Sequence, residues 1–215
     1  MSNKEKFNSI CAQCEPKTCN KDNDHYPDWC LQNKGDWLQK ALTKYERQEN
    51  IKLYKTAAHV ETTGYKKWPR LKEIAEYSIE AGFENIGLAF CIGLAKEAEI
   101  AAEYFNKRGL EVNSAVCCCG SINKEALDIP PEDRFSPEGF EAGCNPIGQA
   151  ELLAECETEF NVVLGLCVGH DSLFFKHSQA PTTVLAVKDR VLAHNPLGAV
   201  YNAESYYSQL FDKEE

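Results

Sequence analysis

The stretch from Gly143 to Ser178, GCNPIGQAELLAECETEFNVVLGLCVGHDSLFFKHS, decides how the rest of the chain is read. It opens with a cysteine in a turn. Asn145 followed by Pro146 then marks a helix start, because Asn is a favoured N-cap and Pro is pre-organised for the first helical position. The run Asn161 to Leu166 (NVVLGL) is short, apolar and β-branched, with Gly165 its one weak residue, and this predicts a buried parallel strand. Cys144 therefore stands beside a helix N-terminus, and Cys167 at the carboxyl end of a strand. Ligands of open α/β sheets bind outside the carboxyl ends of the strands, and helix N-termini favour thiolates. A metal site on that edge is the expectation.

Working outward, the same grammar recurs. Phe83 to Phe90 (FENIGLAF) reads as a strand with Cys91 at its end, and Leu94 to Lys107 as a helix closed by Gly109. Leu110 to Val116 is a second strand, running into Cys117, Cys118, Cys119 and Gly120. Asp128 to Glu141, with Pro130, Pro131, Pro137 and Gly139, is a long irregular loop of the kind that is usually functional, and it delivers the chain to Cys144. Beyond Cys167, His170 to His177 forms a short helix, and Thr182 to Val187 (TTVLAV) a fourth strand followed by Lys188, Asp189 and Arg190. This alternation predicts an α/β fold over residues 83–215, a Rossmann-like parallel sheet flanked by helices with right-handed crossovers.

Such a topology places Cys91, Cys117, Cys118, Cys144 and Cys167, from four separate segments, on one rim of the sheet. The bland reading is that cysteines are small buried hydrophobes, and it is adopted for Cys156, read as lying mid-helix beside Leu152 and Leu153. For the rim set the Gly, Asn and Pro neighbours mark turns, which favours cofactor binding. Soft thiolates select iron–sulfur clusters, zinc or copper(I). A site assembled from dispersed loops is expected to be a cluster, of the four-iron four-sulfur kind, serving redox or small-molecule chemistry. If three thiolates suffice, an open position remains for substrate. His170 and Asp171, just past Cys167, are then the candidate catalytic residues, as ligand or proton donor. A non-catalytic zinc-binding or electron-transfer protein, working with a redox partner, is the alternative. A thiol-redox enzyme would need a C-x-x-C pair near a βα turn, and the only such pair, Cys11 with Cys14, lies elsewhere.

Residues 1–35 carry Cys11, Cys14, Cys19 and Cys30, spaced C-x2-C-x4-C-x10-C, among too few apolar side chains to form a core. A metal on four thiolates would supply the folding free energy of this small cysteine-rich knuckle. Zinc and an iron–sulfur cluster suit four thiolates equally. His25 is read as a loop histidine before it is read as a substitute ligand. Residues 36–82 form a helical connector, with Trp37, Leu38, Ala41, Leu42 and Tyr45, then Ile51, Tyr54 and Ala58, then Leu71, Ile74, Ala75 and Ile79 at helical spacing. Thr62-Thr63-Gly64 and Trp68-Pro69 divide it into two or three helices. His59 within it reads as structural or exposed.

The 215 residues include 11 cysteines, an odd number that cannot all pair, and the opening MSNKEKFNSI has no apolar run to act as an export signal. Reduced thiols in a cytoplasmic protein are the expectation, serving as ligands or catalysts more often than as disulfides. A formal net charge of −10 argues against nucleic acid and anionic membrane as main partners, since both require clustered Lys and Arg.

The motifs Ala89-Phe90-Cys91-Ile92-Gly93-Leu94, Val116-Cys117-Cys118, Cys144-Asn145-Pro146-Ile147-Gly148-Gln149-Ala150, Gly165-Leu166-Cys167-Val168-Gly169-His170-Asp171-Ser172-Leu173-Phe174 and Val187-Lys188-Asp189-Arg190-Val191 resemble a domain-of-unknown-function family of anaerobic bacteria and archaea. The resemblance extends over the whole chain. It implies a cysteine-rich, metal-binding protein with no assigned reaction. Members of that family often carry Lys where this chain has Cys119, which makes Cys119 the weakest candidate ligand. Cys118-Cys119-Gly120 is loosely similar to the Cys-Cys-Gly domain of heterodisulfide reductases, but that domain's downstream C-x-x-C is missing here.

Overall fold

The computed structural model describes residues 9–21 and 26–212, so His25 lies outside the described residues. The chain divides into two compact units, Met1–Lys55 and Thr56–Glu215.

In the first unit, three short 3-10 turns, Cys11–Gln13, Thr18–Asn20 and Leu31–Asn33, precede helix α1 (Trp37–Tyr45). The Trp37 indole Nε1 donates to Leu31 O at 2.8 Å, tying the last turn to the helix. Helix α2 (Gln48–Gly64) begins in this unit and runs into the second. Thr62 and Thr63 lie within it and do not break it, because the Thr62 hydroxyl turns back onto Ala58 O at 3.0 Å, which a helix tolerates. The helix ends at Gly64, and the break runs on through Trp68-Pro69 to helix α3 (Arg70–Ala81), so the connector holds three helices. His59 is exposed on α2.

The second unit is an all-parallel four-stranded sheet, β1 (Asn85–Phe90), β2 (Glu111–Val116), β3 (Phe160–Leu164) and β4 (Thr182–Ala186), in the order β2-β1-β3-β4. Helix α4 (Ala95–Lys107) joins β1 to β2, α5 (Pro146–Glu155) precedes β3, α6 (His170–His177) leads to β4, and α7 (Leu197–Tyr201) follows it. The predicted α/β fold and the parallel sheet are thus present. Alternation along the strands sorts the core into two layers. Ile86, Leu88, Phe160, Val162 and Leu164 face Ile74 of α3 and Ala98, Ala101 and Phe105 of α4. Ala89, Ala115 and Val163 face Ala150 and Leu153 of α5 and Phe174 of α6. The central strands are buried on both faces, as a run without polar alternation requires, and the edge strands β2 and β4 are only partly covered.

Two boundaries differ from expectation for identifiable reasons. Strand β3 ends at Leu164 because Gly165 takes φ +66°, and a Cβ there would stand 2.1 Å from Leu94 Cδ1. Cys156 is not mid-helix: α5 stops at Glu155, and Cys156 is its half-buried C-cap.

The strand order places β1 beside both β2 and β3, so the chain leaves β1 in one direction and returns on its other side. That makes the gap between β1 and β3 a topological switch point, where the crevice of a doubly wound sheet opens.

Candidate metal centre

The rim cysteines occupy that crevice because of register. In the β1–β2 ladder Ala89 pairs with Ala115 and Phe90 with Val116, so the next positions, Cys91 and Cys117, fall side by side on the α5 face. They are 7% and 5% exposed. Cys91 N donates to Leu164 O at 3.1 Å, fixing the end of β1 to the end of β3. Ile92 N donates to Cys117 Sγ at 3.4 Å.

Asn145 brings in the third cysteine. Its backbone N donates to Cys117 O at 2.6 Å, its Nδ2 to Cys119 O at 3.2 Å, and its Oδ1 accepts from Gly148 N at 2.8 Å as the cap of α5. One residue therefore starts the helix and clamps the Cys144 turn to the Cys117–Gly120 turn. Gly148 is required beneath it, since a Cβ there would lie 2.1 Å from Asn145 Nδ2. The irregular segment leading to Cys144 is anchored by the Asn123–Ala142 bridge and by an ion pair of Lys124 with Glu141 at 2.7 Å.

Cys144 packs against the buried layer that holds Cys117. The Cys117 thiol holds its proton well above the ordinary cysteine range, because it donates to Cys144 and because it is buried. Cys144 is lowered by accepting that bond, which outweighs its own burial. Burial raises Cys118 and Cys119. Cys118 is half-buried in the electrostatic field of Cys117 and Cys91. Cys119 faces Asn145 O at 3.9 Å.

Cys167 lies three residues past the end of β3, half-buried, where Arg190 Nη2 donates to its Sγ at 3.2 Å. Its field also reaches Cys144. Cys167 O accepts from His170 N and Asp171 N at 3.0 and 3.1 Å, opening α6. The His170 ring is half-buried, and its Nδ1 is buried with no partner among the described residues. Asp171 Oδ1 is engaged locally with Ser172 N at 2.7 Å. The structure thus gathers Cys91, Cys117, Cys118, Cys144 and Cys167 at one edge, with His170 at its border.

Sequence reasoning missed three contributors. Gln149, fully buried on α5, donates through Nε2 to Ala115 O at 2.7 Å and Phe90 O at 3.3 Å, tying together the strand ends that carry Cys117 and Cys91. Arg190 and Lys188 follow β4, and their signal was a basic pair immediately after a strand. The N-terminal four are arranged differently. Cys11 and Cys19 are exposed, Cys14 is half-buried, and Cys30 is buried with its Sγ accepting from Gln32 N at 3.5 Å.

By chemistry the rim donor set fits a soft metal: thiols at strand ends and turns, and a guanidinium to offset thiolate charge. Among the described residues, no group of three or more His, Cys, Asp or Glu side chains is already set to hold a metal ion, at the rim or in the N-terminal segment. A cavity of about 490 Å³, lined by Val60, Arg70, Ile74, Tyr77, Phe160 and Thr183, opens at the opposite, amino end of the sheet and involves none of the cysteines.

The fold and the edge define a class: a doubly wound α/β protein with cysteines and cations at its switch point. The chain belongs to DUF1847, a family of unknown function, which it matches over residues 30–185. That span contains every rim cysteine and begins at Cys30, leaving Cys11, Cys14 and Cys19 outside it. The chain is also similar to the uncharacterized protein MJ0455 of Methanocaldococcus jannaschii, with 43% identity over 197 residues, 92% of this chain and 95% of the relative. No helix among the described residues is long and apolar enough to cross a membrane.

Proposed function

We propose that this is a metal-binding protein whose sheet rim holds an iron–sulfur cluster, of the four-iron four-sulfur type, on thiolates drawn from Cys91, Cys117, Cys118, Cys144 and Cys167. One observation carries the reading: thiols from four segments lie along the edge at the switch point, three of those segments tied together by Asn145, Gln149 and the strand register. A metal would displace the proton that Cys117 holds, since ligation needs thiolates. Arg190 on Cys167 offsets the negative charge of such a set. When bound, the cluster supplies electrons or an open iron to a small molecule at the crevice. His170, with its free Nδ1 at the border, is the proposed proton donor or further ligand, beside Asp171. Cys11, Cys14, Cys19 and Cys30 are proposed as a separate structural site, for zinc or a second cluster. Thiols in this number suit a reducing compartment, and the cytoplasm is the proposed location.

Anaerobic purification, elemental analysis and electron paramagnetic resonance test this. Iron with acid-labile sulfide is the expected result, and colourless protein lacking both iron and zinc overturns it. A rim metal whose spectrum no exogenous ligand perturbs assigns the site to electron transfer instead of catalysis.

A further inference from the structure

Lys188 is placed by the fold at the switch point itself. Its backbone N donates to Leu166 O at 3.3 Å, extending the β3–β4 pairing past the strands, and its stem lies over Gly165, where a Cβ would stand 3.9 Å from Lys188 Cδ. The ammonium then reaches the loop after β1. A Cβ at Gly93 would stand 3.2 Å from Lys188 Nζ and 3.8 Å from Cys91 Sγ, so amine and thiol flank the same glycine. Gly93 leaves room for the ammonium, since a Cβ there would press on it.

Lys188 is half-buried along its stem, and its ammonium has no carboxylate within ion-pair distance among the described residues. The adjacent acid and the one that opens α6 are committed elsewhere. Asp189 Oδ1 accepts from Val191 N and Leu192 N at 2.9 and 2.8 Å, and Asp171 Oδ1 from Ser172 N. The mouth is open: Ile92 and Val168, which follow Cys91 and Cys167, are 60% and 93% exposed. An ammonium at the mouth of the crevice of a parallel sheet is placed to meet a negatively charged group, and a small oxyanion entering that crevice supplies one.

We infer that the rim binds a small-molecule substrate through a carboxylate or phosphoryl group held by Lys188, with its reacting end toward the cysteines. The inference rests on the rim being the functional site, but it does not require the metal there. Lys188 is an anchoring residue, and Arg190, one nitrogen of which is engaged by Cys167, borders the same mouth.

The test is isothermal titration of the anaerobically purified chain with inorganic phosphate and, separately, with malonate, at constant ionic strength. Saturable binding of one of them is expected, the tighter naming the group recognised. Lys188→Met should weaken it about tenfold or more, the scale of one charge-assisted hydrogen bond, while Lys188→Arg retains binding within a few-fold. Lys107→Met, at the far end of α4, should match the parent. Absence of saturable binding by either anion, or equal affinity in the parent and Lys188→Met, overturns the inference. So does a loss of metal from Lys188→Met, which would assign the ammonium to the thiolates. Metal analysis of the parent is read independently, so a metal-free protein that still binds phosphate through Lys188 refutes the cluster and leaves the anion site standing.

Discussion

Gln149 offers the sharpest test of how the rim is built. It is fully buried, its Nε2 donates to Ala115 O and Phe90 O, and its Oε1 is buried without a partner among the described residues. Gln149→Leu removes two hydrogen bonds of about 1 kcal/mol each, but it also removes an unsatisfied oxygen costing a similar amount, so the net loss is about 1 kcal/mol. Gln149→Glu keeps the shape and reverses the chemistry: an ionised carboxylate would face two carbonyl oxygens with no cation, a loss of about 3–5 kcal/mol. With a urea dependence of about 2 kcal/mol per molar, midpoints should fall by about 0.5 M for Leu and about 1.5 M or more for Glu at pH 7. The Glu variant should recover toward pH 5. An unpaired buried acid has a raised folded pKa, so the native state binds more protons than the unfolded state and stability rises as pH drops. Urea titrations followed by far-ultraviolet circular dichroism, under reductant, measure both. Equal midpoints for the two variants at pH 7 would refute the reasoning, because the orphan oxygen would then face a donor.

Two further outcomes follow from the geometry. Gly165→Ala combines a positive φ with a Cβ 2.1 Å from Leu94 Cδ1, so it should cost about 2–4 kcal/mol, measurable in the same titration, and a loss under 1 kcal/mol would mean the turn can move aside. Cys14→Ser should expose the N-terminal segment to limited proteolysis while leaving residues 56–215 intact, and Cys167→Ser should keep the fold but lose the rim metal. A Cys167→Ser protein with full metal content, or a Cys14→Ser protein as protease-resistant as the parent, contradicts that division of labour.

The fold was legible because its signals are local and mutually consistent. The apolar run Val162 to Leu164 has no polar alternation and lies in a strand buried on both faces. Asn145-Pro146 starts a helix at the residue the structure confirms as its cap. Strand parity alone puts Cys91 and Cys117 on one face. The side-chain roles were not legible for the opposite reason, since they depend on separations of many residues. Gln149 joins carbonyls of two strands, and Asn145 reaches across to the Cys117–Gly120 turn, connections that no periodicity encodes. Lys188 reads from sequence as an ordinary charge after a strand, and only the structure shows its ammonium lying against Gly93 in the loop after β1. Cys156 misled because its helical neighbours suggested burial, whereas α5 ends one residue before it.

The functional and bland readings of the rim cysteines turn out to be compatible. Cys91 and Cys117 are both members of the apolar layer with Ala89, Ala115 and Leu153, so their packing would hold them in place with no ligand at all. Cys144 and Cys167 are half-exposed, one depressed by a hydrogen bond from its neighbour, the other carrying a guanidinium. The inner pair is thus fixed by the core and the outer pair is open to chemistry. A site organised this way has its geometry set by two strand ends that cannot shift without disturbing the sheet, while its accessible face lies on turns that can adjust. This is the combination that ligand exchange at a rigid scaffold demands.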